Sequence, residues 1–433
     1  MNSVDASRPT PQTSIVGRYR WTICALLFAA TTINYIDRQI LSLLKPILDE
    51  QLGWTNAQFG LVNSLFQGAY AISYLMFGML IDRKGTKIGY AISIAAWSIA
   101  AAAHALVNSV PGFGLARIAL GLGEGGNFPA AIKSVAAWFP QKERPFATTL
   151  FNSGANVGAL VAPALVPPLA LAFGWHMPFI AAGAAGFIWI ILWWWIYEEP
   201  SRSRGLSAAE LAYIEDGRPK KTSSEAPISW GQLLKLRQTW AYLVARILTD
   251  PVWWFFLIWL PDYFKQTRGM DLKKMGAPLI AIYAIVTVVS IAGGWASKRL
   301  ADKGWSIQRT RRTAMVVFAA LVAPVVMATS LPLWFAVALI GLAGGAHQAW
   351  SATLFSTVSD IFPSRAIASV TGLGGMVGSL GGMVFPIVCG MILDSLGSHG
   401  YTVLFIWAGG SYLVACLLHV LLCPRIEPVT QLG

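Results

Sequence analysis

Residues 21–48 read WTICALLFAATTINYIDRQILSLLKPIL. The run exceeds the roughly 20 residues that a helix needs to cross a hydrocarbon core, yet Asn34, Asp37 and Arg38 stand in its middle. A charged side chain at that depth is expensive, so an acid beside a base there marks a functional site unless the two merely satisfy one another. In a helix Asn34, Asp37 and Arg38 fall at i, i+3 and i+4, and Tyr35 shares a face with Arg38. One polar stripe therefore carries an amide, an acid, a base and a phenol. A neutralised pair that only fixes helix packing is the alternative, but cheaper residues do that without buried charge.

Working outward, the whole chain has the same character. Of 433 residues 55% are hydrophobic and 12% charged, where soluble proteins carry about a quarter charged. That excludes an ordinary soluble protein and predicts an all-α polytopic membrane protein. Apolar stretches long enough to span centre on 21–46, 57–81, 87–107, 110–137, 145–172 and 176–197. After a polar interval come 239–264, 275–300, 313–330, 332–358, 366–393 and 402–422. Twelve transmembrane helices in two six-helix bundles are expected. The polar first twenty residues lack the apolar core of a signal peptide, so no cleavage is expected.

The net charge of +12 is explained by where the bases sit. Lys and Arg concentrate in the N-terminal tail, the even-to-odd connections, the central interval and the C-terminus, which places both termini in the cytoplasm. Nucleic acid is not required as a partner. The expected domains are a tail (1–20), a first bundle (21–197), a cytoplasmic linker (198–238), a second bundle (239–422) and a second tail (423–433). In the linker, Ser207-Ala208-Ala209-Glu210 predicts a capping box opening a short surface helix. The two halves repeat one another. Phe139-Pro140 and Phe362-Pro363 end corresponding helices, and aligning them sets Gly121 against Gly344 and Glu124 against His347. Such duplication is typical of transporters whose site lies between two bundles. Cys24, Cys389, Cys416 and Cys423 lie in apolar runs without ligand spacing, so neither disulfide nor metal site is expected.

Gly78-Met79-Leu80-Ile81-Asp82-Arg83-Lys84-Gly85-Thr86-Lys87 resembles the signature loop of the major facilitator superfamily. Gly78 is expected to let helices approach closely, and Asp82 to cap a neighbouring helix end while pairing with an arginine. In the fourth helix, Arg117 and Glu124 are seven residues apart on one face, about 10 Å along the axis. Gly121, Gly123, Gly125 and Gly126 thin that face so that a ligand or another helix can come close. Apolar surroundings favour the neutral form of a carboxyl group, which makes Glu124 a candidate proton carrier; a structural ion pair with the first helix is the other reading. The first helix runs outward and the fourth inward. Asp37 is therefore expected to pair with Arg117 at rest, leaving Arg38 and Glu124 facing the cavity.

In the second half, Arg246 and Asp250 are one turn apart and expected to pair within their helix; Arg246 is also a candidate substrate ligand. His347, at the counterpart of Glu124, is either a packing residue or a ligand. Trp253, Trp254 and Trp350 either stack on the apolar face of a ligand or simply pack. Trp193-Trp194-Trp195 reads as an interfacial aromatic belt. No nucleophile elbow, phosphate-binding loop or metal spacing is present, so no enzyme activity and no cofactor are expected.

Asn34-Tyr35-Ile36-Asp37-Arg38 and Gly123-Glu124-Gly125-Gly126-Asn127-Phe128-Pro129 resemble the first- and fourth-helix hallmarks of the anion:cation symporter family within the major facilitators. Thr249-Asp250-Pro251-Val252-Trp253-Trp254-Phe255 and Trp259-Leu260-Pro261-Asp262-Tyr263-Phe264 are similar to the seventh helix of bacterial hexuronate transporters. The resemblance spans 19–422. It implies that Arg38 grips a substrate carboxylate, that Tyr35 and Tyr70 bond its hydroxyls, and that Asp37 and Glu124 carry protons under the control of Arg117. Members that take aldonic acids carry a glutamine in helix five; Ala155 stands nearest that place, and Asn156 is the candidate replacement. The expected function is proton-coupled import of glucuronate or galacturonate across the bacterial inner membrane, by a protein working as a monomer with the proton as coupling ion. Galactonate, glucarate or tartrate symport and drug/proton antiport are the alternatives.

Overall fold

The computed structural model describes residues 17–140, 143–203, 205–216 and 228–429. Residues 1–16, which carry the signal-peptide reading and Arg8, lie outside the described residues, as do Lys142 and, in the linker, Arg204, Arg218, Lys220 and Lys221.

All regular structure among the described residues is helical. The first run forms α1 (Tyr19–Leu52), α2 (Asn56–Lys84), α3 (Thr86–Ala103), α4 (Val110–Glu124), α5 (Asn127–Trp138), α6 (Arg144–Phe173) and α7 (His176–Ile196). Two short helices follow, α8 (Ala208–Asp216) and α9 (Trp230–Leu233). The second run forms α10 (Arg237–Arg268), α11 (Leu272–Asp302), α12 (Ile307–Val322), α13 (Leu333–Ile361), α14 (Ser364–Leu396) and α15 (Gly400–Leu422). Among the described residues nine spans are long and apolar enough to cross a membrane, the last of them running through α14 and α15 together. α1 stands outside that count; its sequence holds Arg20, Asp37, Arg38, Lys45, Asp49 and Glu50.

The expected single helix over 110–137 is broken after Glu124. Pro129 has no N–H to give the carbonyl of Gly125, and Gly125 and Gly126 hold a helix poorly. Glu124 is thereby the last residue of α4 rather than a mid-helix residue. The α12 helix starts before the expected 313 and tightens into a 3-10 turn at Ala323–Met327, which contains Pro324.

Inside, α1 packs on α6, α2 on α4 and α14, α3 on α4 and α7, α10 on α14 and α15, and α11 on α13 and α6. One apolar core gathers Tyr90, Trp97, Trp138, Trp189 and Trp193; a larger one runs through α10, α13 and α15 and reaches Trp54, Phe59 and Phe113. Large apolar side chains such as Ile72, Leu115, Phe173 and Trp195 are exposed, which suits a surface whose solvent is lipid.

The pairing of α2 with α14 is tight at one end only. A Cβ on Gly60 would stand 2.2 Å from the Pro386 carbonyl oxygen, and one on Gly390 would stand 2.3 Å from that of Asn56. Towards the other end, Gly78, Gly372 and Gly375 face nothing within 4 Å. The two helices therefore touch where α1 turns into α2 and diverge towards the signature loop. Close approach at Gly78, expected from the sequence, is not made.

The linker helix α8 differs from expectation in how Glu210 is used. Ser207 Oγ accepts from the Glu210 N–H at 3.2 Å, as a cap should. The Glu210 carboxylate does not complete a box. It accepts from the backbone N–H groups of Tyr19 and Arg20 and from the Arg20 guanidinium, at 3.1, 3.2 and 2.8 Å. The free N–H groups and positive dipole end of α1 attract the carboxylate more strongly than its own turn does. Of the three tryptophans expected in the belt, Trp194 and Trp195 are exposed, whereas Trp193 is buried and donates to the Lys87 carbonyl at 3.1 Å.

Candidate functional site

Tyr35, Arg38 and Gln39 of α1, Asn63, Phe66 and Gln67 of α2, Arg117 of α4 and Trp254, Leu257 and Ile258 of α10 line one void. Its free volume is about 20 Å³, room for about one water, so a larger ligand enters only as these side chains give way. The helices meet here because glycine lets them. A Cβ on Gly121 would stand 2.4 Å from the Phe66 carbonyl oxygen of α2, and one on Gly123 would stand 2.4 Å from the Trp97 nitrogen of α3. Neighbouring helices, not a ligand, occupy the thinned face of α4.

Arg38 is the centre of the group. Its Nε donates to Glu124 Oε2 at 2.7 Å. Its guanidinium carbon lies 5.0, 5.2 and 4.6 Å from the ring centroids of Tyr35, Phe66 and Tyr70, within cation–π range. The expected resting pair is thus overturned: Glu124 holds Arg38, and Asp37 is not ion-paired with Arg117. Glu124 is the last residue of α4, and its carboxylate meets α1 at Arg38. Both Asp37 oxygens, Arg117 Nε and Nη2, Asn34 Nδ2 and Glu124 Oε1 are buried with no hydrogen-bond partner among the described residues. Buried polar groups without partners are costly. Two acids and two bases therefore share a small volume with only one strong contact satisfied, an arrangement able to exchange partners when a proton or an anion arrives.

The remaining predicted residues divide. Trp254 joins the void, while Trp253 stacks parallel to His347 at 5.4 Å. His347 Nδ1 is bonded to the Tyr412 hydroxyl, which also donates to the Thr249 carbonyl at 3.3 Å. His347 thus has a packing partner, and neither it nor the fully buried Trp350 lines the void. Asn156 is half-buried on α6, away from the lining. Arg246 pairs with Asp250 at 2.8 Å as expected and bonds Ser351 at 3.4 Å. In the signature loop, Asp82 pairs with Lys133 of α5 at 2.8 Å and with no arginine among the described residues, and Arg83 is exposed; Gly85 takes φ +83° at the turn.

Sequence reading missed Gln39, Asn63 and Gln67. All three are buried, and Asn63 and Gln67 repeat at i, i+4 within an apolar helix, a pattern that points a polar stripe inward. It also missed a second buried pair. Lys45 Nζ bonds Asp262 Oδ1 at 2.8 Å and Asp49 Oδ2 at 2.9 Å, and Tyr401 donates to Asp262. Nearby, Lys265 Nζ donates to the Pro46 carbonyl at 2.9 Å, and the Asp394 carboxylate accepts from the N–H groups of Asn56 and Ala57 at 2.9 and 2.8 Å. These contacts join the first run of helices to the second at the end where α2 and α14 touch.

The sequence and the fold both have relatives. The Major Facilitator Superfamily model matches residues 27–386, and the chain belongs to that superfamily of multi-pass membrane proteins. A hexuronate transporter of Escherichia coli (strain K12) is 31% identical over 388 residues, 87% of this chain and 88% of its own. A probable galactarate/D-glucarate transporter of Bacillus subtilis (strain 168) is 31% identical over 432 residues, 95% of this chain and 93% of its own. A D-galactonate transporter of Escherichia coli O6:H1 is 28% identical over 439 residues, 98% of this chain and 99% of its own. Among solved structures, a D-xylose-proton symporter superposes with a TM-score of 0.74 at 15% identity, covering 95% of this chain and 99% of that one.

Proposed function

We propose that this protein is a proton-coupled symporter that imports hexuronates, with twelve transmembrane helices in two bundles and both termini on the cytoplasmic side of a bacterial inner membrane. The observation that carries the reading is Arg38, a guanidinium at the void whose one strong partner is the carboxylate of Glu124. A carboxylated sugar offers the same group as Glu124 and can replace it. Protonation of Glu124 releases Arg38, so the proton and the anion bind better together. Arg38 grips the carboxylate; Tyr35, Tyr70, Asn63 and Gln67 serve the hydroxyls; Trp254 covers the apolar face of the ring. Asp37 and Arg117 complete the proton path. The relatives named for sugar acids support this class of substrate.

Labelled glucuronate, galacturonate, galactonate, glucarate and tartrate supplied to proteoliposomes under an inward proton gradient test the reading. Accumulation of glucuronate or galacturonate, abolished by a protonophore, is expected. Stronger accumulation of galactonate or glucarate would move the specificity within the class, and no accumulation of any of the five would overturn the function.

A further inference from the structure

A second cavity lies far along the chain from Arg38, among the end of α11, the start of α12 and the middle of α13. It is larger, about 310 Å³, and open on one side. Its lining includes Lys298, Arg311, Trp305, Thr310, Ser297 and Ser356, and no acidic residue. Arg311 shares its charge with Asp360 at 2.8 Å. Lys298 makes no ion pair among the described residues and is exposed, so it brings an uncompensated positive charge. Thr310 is 3% exposed, and its hydroxyl has no hydrogen-bond partner among the described residues. Lysine, hydroxyls and an indole around a void of this size suit a tetrahedral oxyanion such as a phosphate ester.

The position says where such an ester comes from. Lys298 stands in the last turns of the candidate span Leu272–Asp302 and Arg311 in the first turns of the next, Ile307–Met327, so the cavity lies at the ends of the two spans, the level of the membrane boundary. Trp305 lines it, and Trp295, 59% exposed, precedes Lys298 by one turn of α11, as tryptophans do at that level. Val288, Ile291, Trp295 and Lys298 fall on one face of α11 by their spacing. The first three are exposed apolar residues, with Val288 and Ile291 each 67% accessible. A cation at the boundary therefore caps an apolar stripe descending into the hydrocarbon. That is complementary to a phosphate joined to acyl chains and not to phosphate alone.

We propose that this cavity is a binding site for an anionic phospholipid, with the headgroup phosphate held by Lys298, Arg311 and the Thr310 hydroxyl and the chains lying along Val288, Ile291 and Trp295. The site is separate from the sugar-acid void and does not depend on the transported substrate.

The test uses the full-length protein in detergent, titrated separately with phosphatidylglycerol, phosphatidylcholine and inorganic phosphate while thermal stability and native mass spectra are recorded. Phosphatidylglycerol is expected to raise the unfolding midpoint and appear as a bound adduct at concentrations where the other two do neither. Lys298→Gln should weaken it about fivefold, whereas Lys84→Gln, exposed on α2, should leave it unchanged. Thr310→Val, isosteric and apolar, should weaken it while leaving the lipid-free midpoint within a few degrees. Equal stabilisation by phosphatidylcholine would show that the charge is not read. Equal stabilisation by inorganic phosphate would assign the cavity to a soluble anion. An unchanged affinity in Lys298→Gln would place the lipid elsewhere. Each of these three results overturns the proposal.

Discussion

Arg38 and Glu124, 86 residues apart, form an ion pair at 2.7 Å between α1 and the last residue of α4. The adjacent Asp37 has no hydrogen-bond partner among the described residues. The guanidinium that faces the void is thus already holding a carboxylate, which a substrate carboxylate of the proposed kind would have to displace.

From that competition comes a pH dependence with a definite sign. Protonating Glu124 frees Arg38, so hexuronate affinity of the wild type should rise as pH falls. Glu124→Gln imitates the protonated state, and its affinity should be high and nearly independent of pH. The same variant should exchange substrate in counterflow yet fail to accumulate it under a proton gradient, because no proton is released inside. Binding measured from pH 5 to 8, with both transport assays in proteoliposomes, decides this. Full accumulation by Glu124→Gln would move the coupling to Asp37.

Arg38→Lys keeps the charge but loses the planar fork that grips a carboxylate at two points. Removing a charge-assisted hydrogen bond of this kind costs about 1.5–3 kcal/mol. Hexuronate Kd should therefore rise by roughly tenfold or more in isothermal titration, with the fold retained by circular dichroism. An unchanged Kd would show that another cation holds the carboxylate.

Lys45 and Asp262 are each no more than 2% exposed and bond at 2.8 Å between α1 and α10. Breaking a buried pair from one side strands the other charge, at about 3–5 kcal/mol. Asp262→Leu alone should lower the unfolding midpoint in detergent by several degrees. Adding Lys45→Met should recover most of the loss, since a matched apolar pair leaves no stranded charge. If the double variant is no more stable than the single, the two residues do not act as a pair.

Gly60 and Gly390 set how closely α2 and α14 approach. Gly60→Val would put a side chain where the Pro386 carbonyl oxygen lies, so the end that is closed here should open. Spin labels at the exposed Gln58 and Ser395 report the separation directly. The interlabel distance is expected to lengthen by several ångströms in Gly60→Val and to stay unchanged in Gly78→Ala, where a Cβ meets open space.

Much of this was legible in the residues. Apart from the break after Glu124, the apolar runs gave the helices to within a turn or two, because in a bilayer each span must satisfy its own backbone and must be about 20 residues long. A charge inside such a run is costly enough to mark Arg38, Asp37, Arg117 and Glu124 without coordinates. The i, i+4 pair Arg246–Asp250 was equally readable, since helical spacing alone brings the two together.

What the sequence by itself determined, then, is the helical membrane architecture and the interior charges Asp37, Arg38, Arg117 and Glu124, though not the buried Lys45 and Asp262. Which of them pair was decided only in three dimensions. Arg38 of α1 meets Glu124 at the end of α4 across 86 residues of sequence. Lys45 meets Asp262, Asp82 meets Lys133, and Glu210 meets the start of α1 across separations of 217, 51 and 191 residues. His347 is bonded to Tyr412, 65 residues away. Periodicity fixes a residue's face on its own helix, but partner choice depends on how helices rotate and slide against one another, which glycine contacts and helix breaks set at a distance.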